Sequence, residues 1–351
     1  MAEIETGIQE VDPRHQLDVD SLASFLRGRL EGFEGSLRVR QFKGGQSNPT
    51  YHLGDGSREW VLRRKPPGQL VSSAHAIDRE YRVLRALMQV DFPSPRPRLY
   101  CEDEGVIGSE FYVMDRVEGR ILVDQTLPGW TPEDRRSLYA SQLEILARLH
   151  SIDPAAIGLA DYGKPGSYFA RQIHVWSKQY ERSDVERSPA MERLMAWLPE
   201  NVPSDDETAI VHGDYGLNNM VIDPRQARVR AILDWELSTI GHPLADLTYH
   251  LAQRLTPGGH FASLGPSELP ALGIPTQEEM VDRYCELTGR EGIQDLDFYL
   301  AFHLFRMAGI LFGIAGRAKV GTAAGSEAFE IGRTAPVLAE RGLELAARLG
   351  A

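Results

Sequence analysis

The sequence contains few cysteines and fewer basic than acidic residues. The 351 residues include only two cysteines, Cys101 and Cys285, which lie far apart and form no Cys-x-x-Cys pair. Neither a disulfide framework nor a zinc knuckle is therefore indicated, and a reduced, cytoplasmic setting fits this cysteine usage. With 50 acidic and 38 basic side chains, the net charge is -12. This balance would repel the phosphate backbone of nucleic acid, so neither DNA nor RNA is an expected partner.

Signal and membrane-spanning patterns are also lacking. The opening stretch, MAEIETGIQEVDPRHQLD, has no basic segment followed by an apolar core, so it does not predict a secretion signal. The longest apolar run, Phe298 to Gly316, carries His303 and Arg306 near its middle, where a bilayer would make both side chains costly. We expect a buried helix there and no membrane partner.

What is present is a change of pattern along the chain. In residues 37–62, short apolar stretches alternate with the turn sequences KGGQSN and GDGS, which predicts an antiparallel sheet. The segment that follows places Ile77, Tyr81, Leu84 and Met88 at helical spacing, so we expect an amphipathic helix with these residues on its apolar face.

After Arg120 the pattern becomes mainly helical. Thr131 as a cap and Pro132 at the first helical position predict the start of one helix, and TQEEMVDRYCEL predicts another that opens with a capping box. Strand signals return only in residues 210–234, where MVID and RVRAILD flank the turn PRQA.

A chain of this length exceeds the usual size of a single core, so two lobes are expected. The predicted fold class is α+β, with a small antiparallel-sheet lobe and a larger, mainly helical lobe. The expected boundaries are 1–35 for an extension with a short helix, 36–114 for the sheet lobe, 115–120 for a connector and 121–351 for the helical lobe.

The stretch VHGDYGLNNMVID, from Val211 to Asp223, holds the strongest chemical signal. Asp214 and Asn219 lie on one loop, and Asp234 follows at the end of the predicted hairpin, so chain reversal can gather the three side chains around one point. The oxygen atoms of these side chains suit magnesium, and phosphate groups and water would complete the coordination shell of the ion. A neighbouring aspartate that does not bind the metal can orient an attacking hydroxyl. The alternative is a polar turn whose side chains only cap backbone groups.

Together with ILDWE, this stretch resembles the aminoglycoside phosphotransferase and choline kinase family, which shares the protein kinase fold. HGD stands where protein kinases carry HRD, and DWE stands where they carry DFG. The resemblance covers nearly the entire chain and implies that Asp214 is the catalytic aspartate, with Asn219 and Asp234 as magnesium ligands. It also implies that His212 packs beneath the loop and that Asp246, in GHPLADLTYHL, steadies the loop through hydrogen bonds.

The same resemblance implies ATP as a cofactor beside Mg²⁺. FKGGQSN lies between the first two predicted strands, where the family covers the ATP phosphates with a turn. The candidate contacts are Gly44, Gly45, Gln46, Ser47 and Asn48. The pattern departs from GxGxxG, so backbone amides would cradle the phosphates here.

Further nucleotide contacts are implied by EWVLRR, AIDREYRVL and YVMDRVEG. Arg63 stands at the position of the family's strand lysine and replaces a point ammonium with a planar fork. Glu80 is the expected helix partner of this cation, with a surface i,i+4 pair as the alternative. The backbone from Asp115 to Val117 lies where the family's connector, or hinge, meets adenine.

A closer resemblance, to the kinase-like module fused to or encoded beside acyl-CoA dehydrogenases, is carried by VLRRKPPGQL, AHAIDREYRVL, LDWELSTIGHPLADL and DFYLAFHLFRMAGIL. It implies a hydroxyacyl compound, free or as its CoA thioester, as the phosphate acceptor; it does not imply dehydrogenase activity. Glu236 is a candidate acceptor contact. On a continuous helix Arg306 and Arg317 share a face with His303 one turn earlier, and such a cationic stripe would suit an anionic acceptor. Salt bridges are the alternative role for these arginines.

The predicted reaction is in-line transfer of the ATP γ-phosphoryl group to an alcohol oxygen, with Asp214 accepting the proton late. Three alternatives stay open. An aminoglycoside or choline-type kinase differs only in its acceptor. A nucleotide-binding pseudokinase scaffold is motivated by Arg63 and the imperfect glycine turn. An iron site of the facial-triad type would combine His212 and Asp214 with His242 or His250.

Overall fold

The computed structural model describes residues 7–43, 48–66, 77–256, 261, 264, 268–319 and 326–351, without the side chains of 318–319 and 326–332. The chain forms two compact units that interleave along the sequence. The sheet unit contains the chain up to Gly129 with Pro154–Tyr162 and Gly216–Ser238, and the helical unit contains Trp130–Asp153, Gly163–Tyr215 and the chain from Thr239. An antiparallel sheet and a mainly helical part confirm the predicted α+β architecture.

Strands and helices are numbered along the chain. The strands are β1 (Ile8–Gln9), β2 (Arg38–Phe42), β3 (Thr50–Gly54), β4 (Glu59–Arg64), β5 (Pro97–Cys101), β6 (Phe111–Asp115), β7 (Ala209–Val211), β8 (Met220–Ile222), β9 (Val229–Ile232) and β10 (Thr239–Gly241). The helices are α1 (Val19–Leu26), α2 (Ile77–Met88), α3 (Pro132–Ser151), α4 (Tyr168–Arg182), α5 (Pro189–Glu200), α6 (Leu244–Ala252), α7 (Leu269–Leu272), α8 (Gln277–Thr288), α9 (Leu296–Lys319) and α10 (Ser326–Ala347).

The sheet unit is built on a six-stranded sheet in the order β1-β2-β3-β4-β6-β5, with antiparallel neighbours throughout. Alternation along β4 sends its side chains to two environments. Trp60 and Leu62 join an apolar core that includes Leu22 of α1. Val61 and Arg63 line a cavity instead, which places a cation from the middle of the sheet at that cavity.

Helix α2 forms as predicted, but its buried face differs from the predicted stripe. Ile77 and Leu84 are buried, whereas Met88 is 44% exposed and Glu80 is only 2% exposed. The helix packs against β5, β6 and the turn after β9. Met88 was therefore wrongly assigned to the apolar face, because Glu80 takes a buried place opposite Arg63 of the sheet.

A backbone contact fastens the predicted hairpin, β8–β9, to the sheet unit. The two strands pair antiparallel, as expected. Arg120 and Ile222 exchange backbone hydrogen bonds of 2.9 and 2.8 Å. A Cβ on Gly119 would lie 2.4 Å from the Ile222 carbonyl oxygen, so this close approach requires glycine. The contact explains why a segment so late in the chain folds with the first 129 residues.

The helical unit shows both predicted helix starts. The Thr131 side chain caps α3 by accepting a hydrogen bond from the Asp134 backbone N–H at 3.1 Å, with Pro132 at the first position. Thr276 and Glu279 form the expected capping box at α8. Acidic residues in the first turn also complement the helix dipole.

Helix α9 is a long apolar helix of the helical unit. In the described part of the chain, one helix, Leu296–Arg317, is long and apolar enough to cross a membrane. However, 72% of its most apolar stretch is buried inside the protein. This burial agrees with the prediction of a core helix. The helix runs without a break past Gly309, Gly313 and Gly316.

Candidate active site

A cavity of about 230 Å³ in the sheet unit combines an apolar lining with a polar end. The apolar part includes Val61, Leu84, Met114, Ile121, Val221 and Leu233, and the polar end carries Arg63, Glu80, Asn219 and Asp234. Few polar groups converging on a mostly apolar cavity are typical of small-molecule sites. Four residues predicted from widely separated segments thus line one cavity.

Arg63 is the centre of the polar end. Its Nη1 donates to Glu80 Oε1 at 2.7 Å, and both terminal nitrogens lie 3.1–3.2 Å from Asp234 Oδ1. Nη2 also lies 3.7 Å from Glu236 Oε2. One guanidinium therefore contacts three carboxylates. The predicted Arg63–Glu80 pair is present, and its buried position differs from that of a surface i,i+4 pair.

Burial and charge pull the ionisation of this cluster in opposite directions. Burial raises the pKa of the Glu80 carboxyl to about 7, against the attraction of Arg63. Burial disfavours a charged Arg63, but Glu80 and the other carboxylates raise its pKa above the ordinary value. The Tyr112 hydroxyl is buried in the same cluster, and burial together with the nearby Glu80 carboxylate raises the pKa of Tyr112. Tyr112 is a site residue that sequence reasoning missed, since its strand carries no local signal for this contact.

The backbone aims the Asp234 side chain. Asp234 has φ of +62°, in the left-handed region that aspartate tolerates better than most residues. It precedes a short 3₁₀ turn, Trp235–Leu237, in which the buried Trp235 indole donates to the Ile232 carbonyl at 3.0 Å. The tryptophan of DWE thus anchors the turn, and the two acids beside it lie toward Arg63.

Asn219 reaches the same cavity from the first strand of the hairpin, which it directly precedes. It closes the 3₁₀ turn Leu217–Asn219, and its carbonyl accepts from the Leu233 backbone N–H at 2.8 Å. That bond ties Asn219 to the residue before Asp234. The hairpin therefore brings the two predicted magnesium ligands to one cavity, whereas Asp214 belongs to the helical unit.

The predicted hinge residues line the cavity as well. Asp115 ends β6; its backbone N–H donates to the Arg96 carbonyl at 2.9 Å, and its carboxylate is held by Arg98 at 2.7 Å through two bonds. Val117 and Gly119 follow along the cavity wall. Gly119 falls in the predicted connector, 115–120, and its close approach to β8 was not predicted.

The glycine turn is only partly visible. Gly44, Gly45, Gln46 and Ser47 lie outside the described residues. Asn48 is 1% exposed and donates from Nδ2 to Glu236 Oε2 at 3.2 Å. Within the described part of the chain, the buried Asn48 Oδ1 has no hydrogen-bond partner.

The HGD loop follows β7 in the helical unit and is held from below by Asp246. The buried Asp246 carboxylate accepts from the backbone N–H groups of His212 at 2.6 Å and Gly213 at 2.8 Å. Burial alone would raise the pKa of Asp246, but hydrogen bonds from His150 and the loop backbone hold it below its ordinary value. His212 is fully buried, and its Nδ1 accepts from the Asp214 N–H at 3.3 Å.

A second set of contacts holds the loop from α9. Arg306 Nη2 donates to the Gly213 carbonyl at 3.0 Å, and its guanidinium carbon lies 5.4 Å from the ring centres of both Trp176 and Tyr249. The Tyr249 hydroxyl hydrogen-bonds Asp214; burial, with this carboxylate beside it, raises the pKa of Tyr249. Neither aromatic residue carried a sequence signal for the site, because both contacts depend on tertiary packing.

The acceptor candidates do not share one exposed face. His303 is fully buried, and burial lowers its pKa well below the ordinary value, so it is neutral near pH 7. Arg306 is 8% exposed and engaged with the loop, while Arg317 is exposed. Glu236 lies in the sheet unit beside Arg63. The structure therefore does not form the cationic stripe that helix periodicity predicted.

The residues of the iron alternative are not gathered either. Among the residues that the structure describes, no three His, Cys, Asp or Glu side chains form a group that could hold a metal ion. His242 is buried with its Nε2 3.5 Å from Asp205, and His250 is buried with its pKa lowered by burial to about 3. The facial-triad interpretation is not supported.

The residues that line the cavity are compatible with a magnesium nucleotide. Three carboxylates face one guanidinium, which leaves an excess of negative charge that a divalent cation would offset. Magnesium needs few protein ligands when phosphates complete its shell. The apolar walls beside the hinge suit a flat base.

Comparison with known proteins gives the class. Residues 38–273 match the model of the phosphotransferase enzyme family, a span of more than half of the chain. The chain therefore belongs to that family, and the predicted resemblance is confirmed. Membership supports phosphoryl transfer to a small molecule as the activity.

Individual relatives refine this placement. The chain is 42% identical over 354 residues to acyl-CoA dehydrogenase family member 11 of Homo sapiens, covering 98% of this chain and 45% of that protein. It thus spans less than half the length of the curated relatives it matches. A proposed aminoglycoside phosphotransferase from Ralstonia eutropha is 46% identical with a TM-score of 0.87, over 95% of this chain and 99% of that one. Choline kinase of Cryptosporidium parvum shares the fold at 13% identity and a TM-score of 0.67, over 95% and 96% of the two chains.

Proposed function

We propose that this protein is an ATP- and magnesium-dependent kinase that transfers the γ-phosphoryl group to a hydroxyl of a small molecule. One observation carries the proposal: Arg63, Glu80, Asn219 and Asp234 line a single cavity in a chain of the phosphotransferase family. Asn219 and Asp234 would hold magnesium, which offsets the charge of the phosphates when it is bound. Arg63, fixed by Glu80, would bind phosphate oxygens.

Asp214 is assigned the role of proton acceptor. It takes a hydrogen bond from the acceptor hydroxyl and receives the proton late, because a carboxylate is too weak a base to ionise an alcohol first. The loop contacts support this role. Asp246 and Arg306 hold the backbone on either side of Gly213, and Tyr249 hydrogen-bonds the Asp214 carboxylate, so its orientation is fixed before substrate arrives.

The acceptor that we infer is a hydroxyacyl compound, as the free acid or its CoA thioester. The support is the similarity to acyl-CoA dehydrogenase family members, in which the matching region is part of a longer protein. A module joined to an enzyme of acyl-CoA chemistry is well placed to modify a related acyl compound. An aminoglycoside or choline-type acceptor is the second candidate, favoured by the fold of the solved neighbours.

A panel of acceptors tests the proposal. ATP consumption is measured with hydroxy acids of several chain lengths, their CoA esters, choline and aminoglycosides, with product phosphorylation checked by mass spectrometry. Phosphorylation of hydroxyacyl compounds is expected. Turnover only with choline or aminoglycosides would reject the acceptor, and ATP binding without turnover on any acceptor would favour the pseudokinase scaffold.

Asp214→Asn tests the catalytic assignment. The amide keeps the shape but cannot accept the proton, so turnover should fall by about a hundredfold or more while the Kd for ATP changes little. Asp184→Asn, at an exposed aspartate of the same unit, is the matched control and should retain full turnover. Near-normal turnover in Asp214→Asn would rule out this role.

A further inference from the structure

Arg63 spans more than the helix glutamate expected of it. Its Nη1 is shared between Glu80 at 2.7 Å and Asp234 at 3.2 Å, while Nη2 bonds Asp234 at 3.1 Å and lies 3.7 Å from Glu236. Asn48 Nδ2 also donates a hydrogen bond to the same Glu236 oxygen, at 3.2 Å. The planar guanidinium of arginine can donate hydrogen bonds to several carboxylates at once, which the single ammonium of lysine does less well.

Exposure decreases from the outer acids inward. The side chains of Asp234 and Glu236 are 36% and 22% exposed, whereas those of Arg63 and Glu80 are 9% and 2% exposed. A cation that approaches Asp234 from solvent therefore meets a carboxylate that is already neutralised from behind by a buried guanidinium. The low dielectric around buried groups strengthens the repulsion between that guanidinium and the incoming cation.

We propose that Arg63 gates metal binding: in the nucleotide-free protein it occupies Asp234 and Glu236, so a divalent cation enters only together with nucleotide phosphates. Phosphate oxygens accept hydrogen bonds from Arg63 in exchange for Asp234, which then becomes available as a ligand. The gate rests on the proposed function, since it gives Asp234 the role of metal ligand.

The role of Arg63 in metal binding is tested by removing its guanidinium together with the charge of its buried partner, Glu80. Free Mn²⁺ is titrated into the nucleotide-free protein and followed by electron paramagnetic resonance. Wild type and Glu80→Gln, which keeps Arg63, should bind Mn²⁺ weakly. The double variant Arg63→Gln/Glu80→Gln has the same outer acids and should bind Mn²⁺ about tenfold or more tightly, as loss of one nearby positive charge predicts. Equal affinities in Glu80→Gln and the double variant would overturn the gate.

Two controls identify the site of binding. Arg38→Gln removes one charge from an exposed position on β2 and should leave Mn²⁺ affinity at the wild-type value. Adding Asp234→Asn to the double variant should abolish the gain, and a gain that survives this change would also overturn the proposal.

Failure of the kinase assignment has a different signature. ATP binding to wild type is measured in parallel by calorimetry with and without Mn²⁺. If the wild-type protein bound no nucleotide, the proposed function would be refuted. The Mn²⁺ titrations of Glu80→Gln and the double variant are carried out without nucleotide, so they would still decide whether Arg63 gates metal binding.

Discussion

The buried pair Arg63–Glu80 offers the sharpest test of how the cavity is stabilised. Arg63→Gln leaves a carboxylate that is 2% exposed without its cation. Breaking a buried pair by removing one partner costs about 3–5 kcal/mol where the remaining group stays charged. The comparison is therefore made at pH 8, above the Glu80 pKa of about 7 in the folded wild type. The double variant Arg63→Gln/Glu80→Gln removes both charges and keeps a side chain of similar size at position 80. It should recover at least about 2 kcal/mol of that loss, a coupling of the size that contacting residues show.

Urea unfolding followed by tryptophan fluorescence measures these differences, and the sheet unit contributes Trp60 and Trp235 to the signal. Arg85→Gln, on the exposed face of α2, is the control for loss of one charge and should stay within about 0.5 kcal/mol of wild type. A double variant no more stable than Arg63→Gln would refute the reasoning, since the cost would then not lie in the stranded charge.

The pH dependence has a defined sign. The folded pKa of Glu80, about 7, lies above its ordinary value of 4.5, so the folded state binds this proton more strongly than the unfolded chain. The associated stabilisation is complete below about pH 4.5 and is lost as pH rises toward 7. Glu80→Gln should remove this decline in stability. Arg63→Gln should extend the decline to higher pH, because Arg63 lowers the pKa of Glu80 in the wild-type protein. Unfolding measured between pH 5 and 8 checks both, and a decline that persists in Glu80→Gln would contradict the assignment.

Two further changes test the loop contacts. Asp246→Asn leaves one of two buried backbone N–H groups without an acceptor and should cost about 2–3 kcal/mol in urea unfolding at pH 7. Because the folded pKa of Asp246 is depressed, its stabilisation is present above about pH 4 and lost as pH falls below that, so an acid dependence unchanged in the variant would argue against it. Arg306→Gln removes the bond to Gly213 and should lower kcat while the KM for ATP stays constant; a change confined to KM would contradict a loop-holding role.

Local patterns were enough to predict much of the fold. Helix caps depend on residues three apart, so Thr131 and Thr276 could be read from the sequence and both are confirmed. The hairpin was also predictable, because turn residues between two apolar stretches fix its pairing. The family resemblance added the identity of the residues that line the cavity, which periodicity alone does not give.

Long-range contacts account for what was missed. The hairpin folds with the sheet unit through the Arg120–Ile222 pairing, which joins segments about a hundred residues apart. Glu80 is buried because Arg63 of the sheet faces it, and Met88 is exposed because it lies outside the face of α2 that packs on the sheet. No pattern within one element contains such information, since it depends on which element lies opposite.

The helix that carries Arg306 shows how periodicity can be right and the inference from it wrong. Helix α9 is continuous, as a shared face for Arg306 and Arg317 requires. However, Arg306 hydrogen-bonds Gly213 and packs on two aromatic rings, and His303 is neutral in the core. Spacing tells which residues share a face and not whether that face meets solvent or a loop. A residue that holds the catalytic loop acts on every acceptor alike, so loss of Arg306 should reduce turnover by the same factor for a hydroxy acid and for its CoA ester.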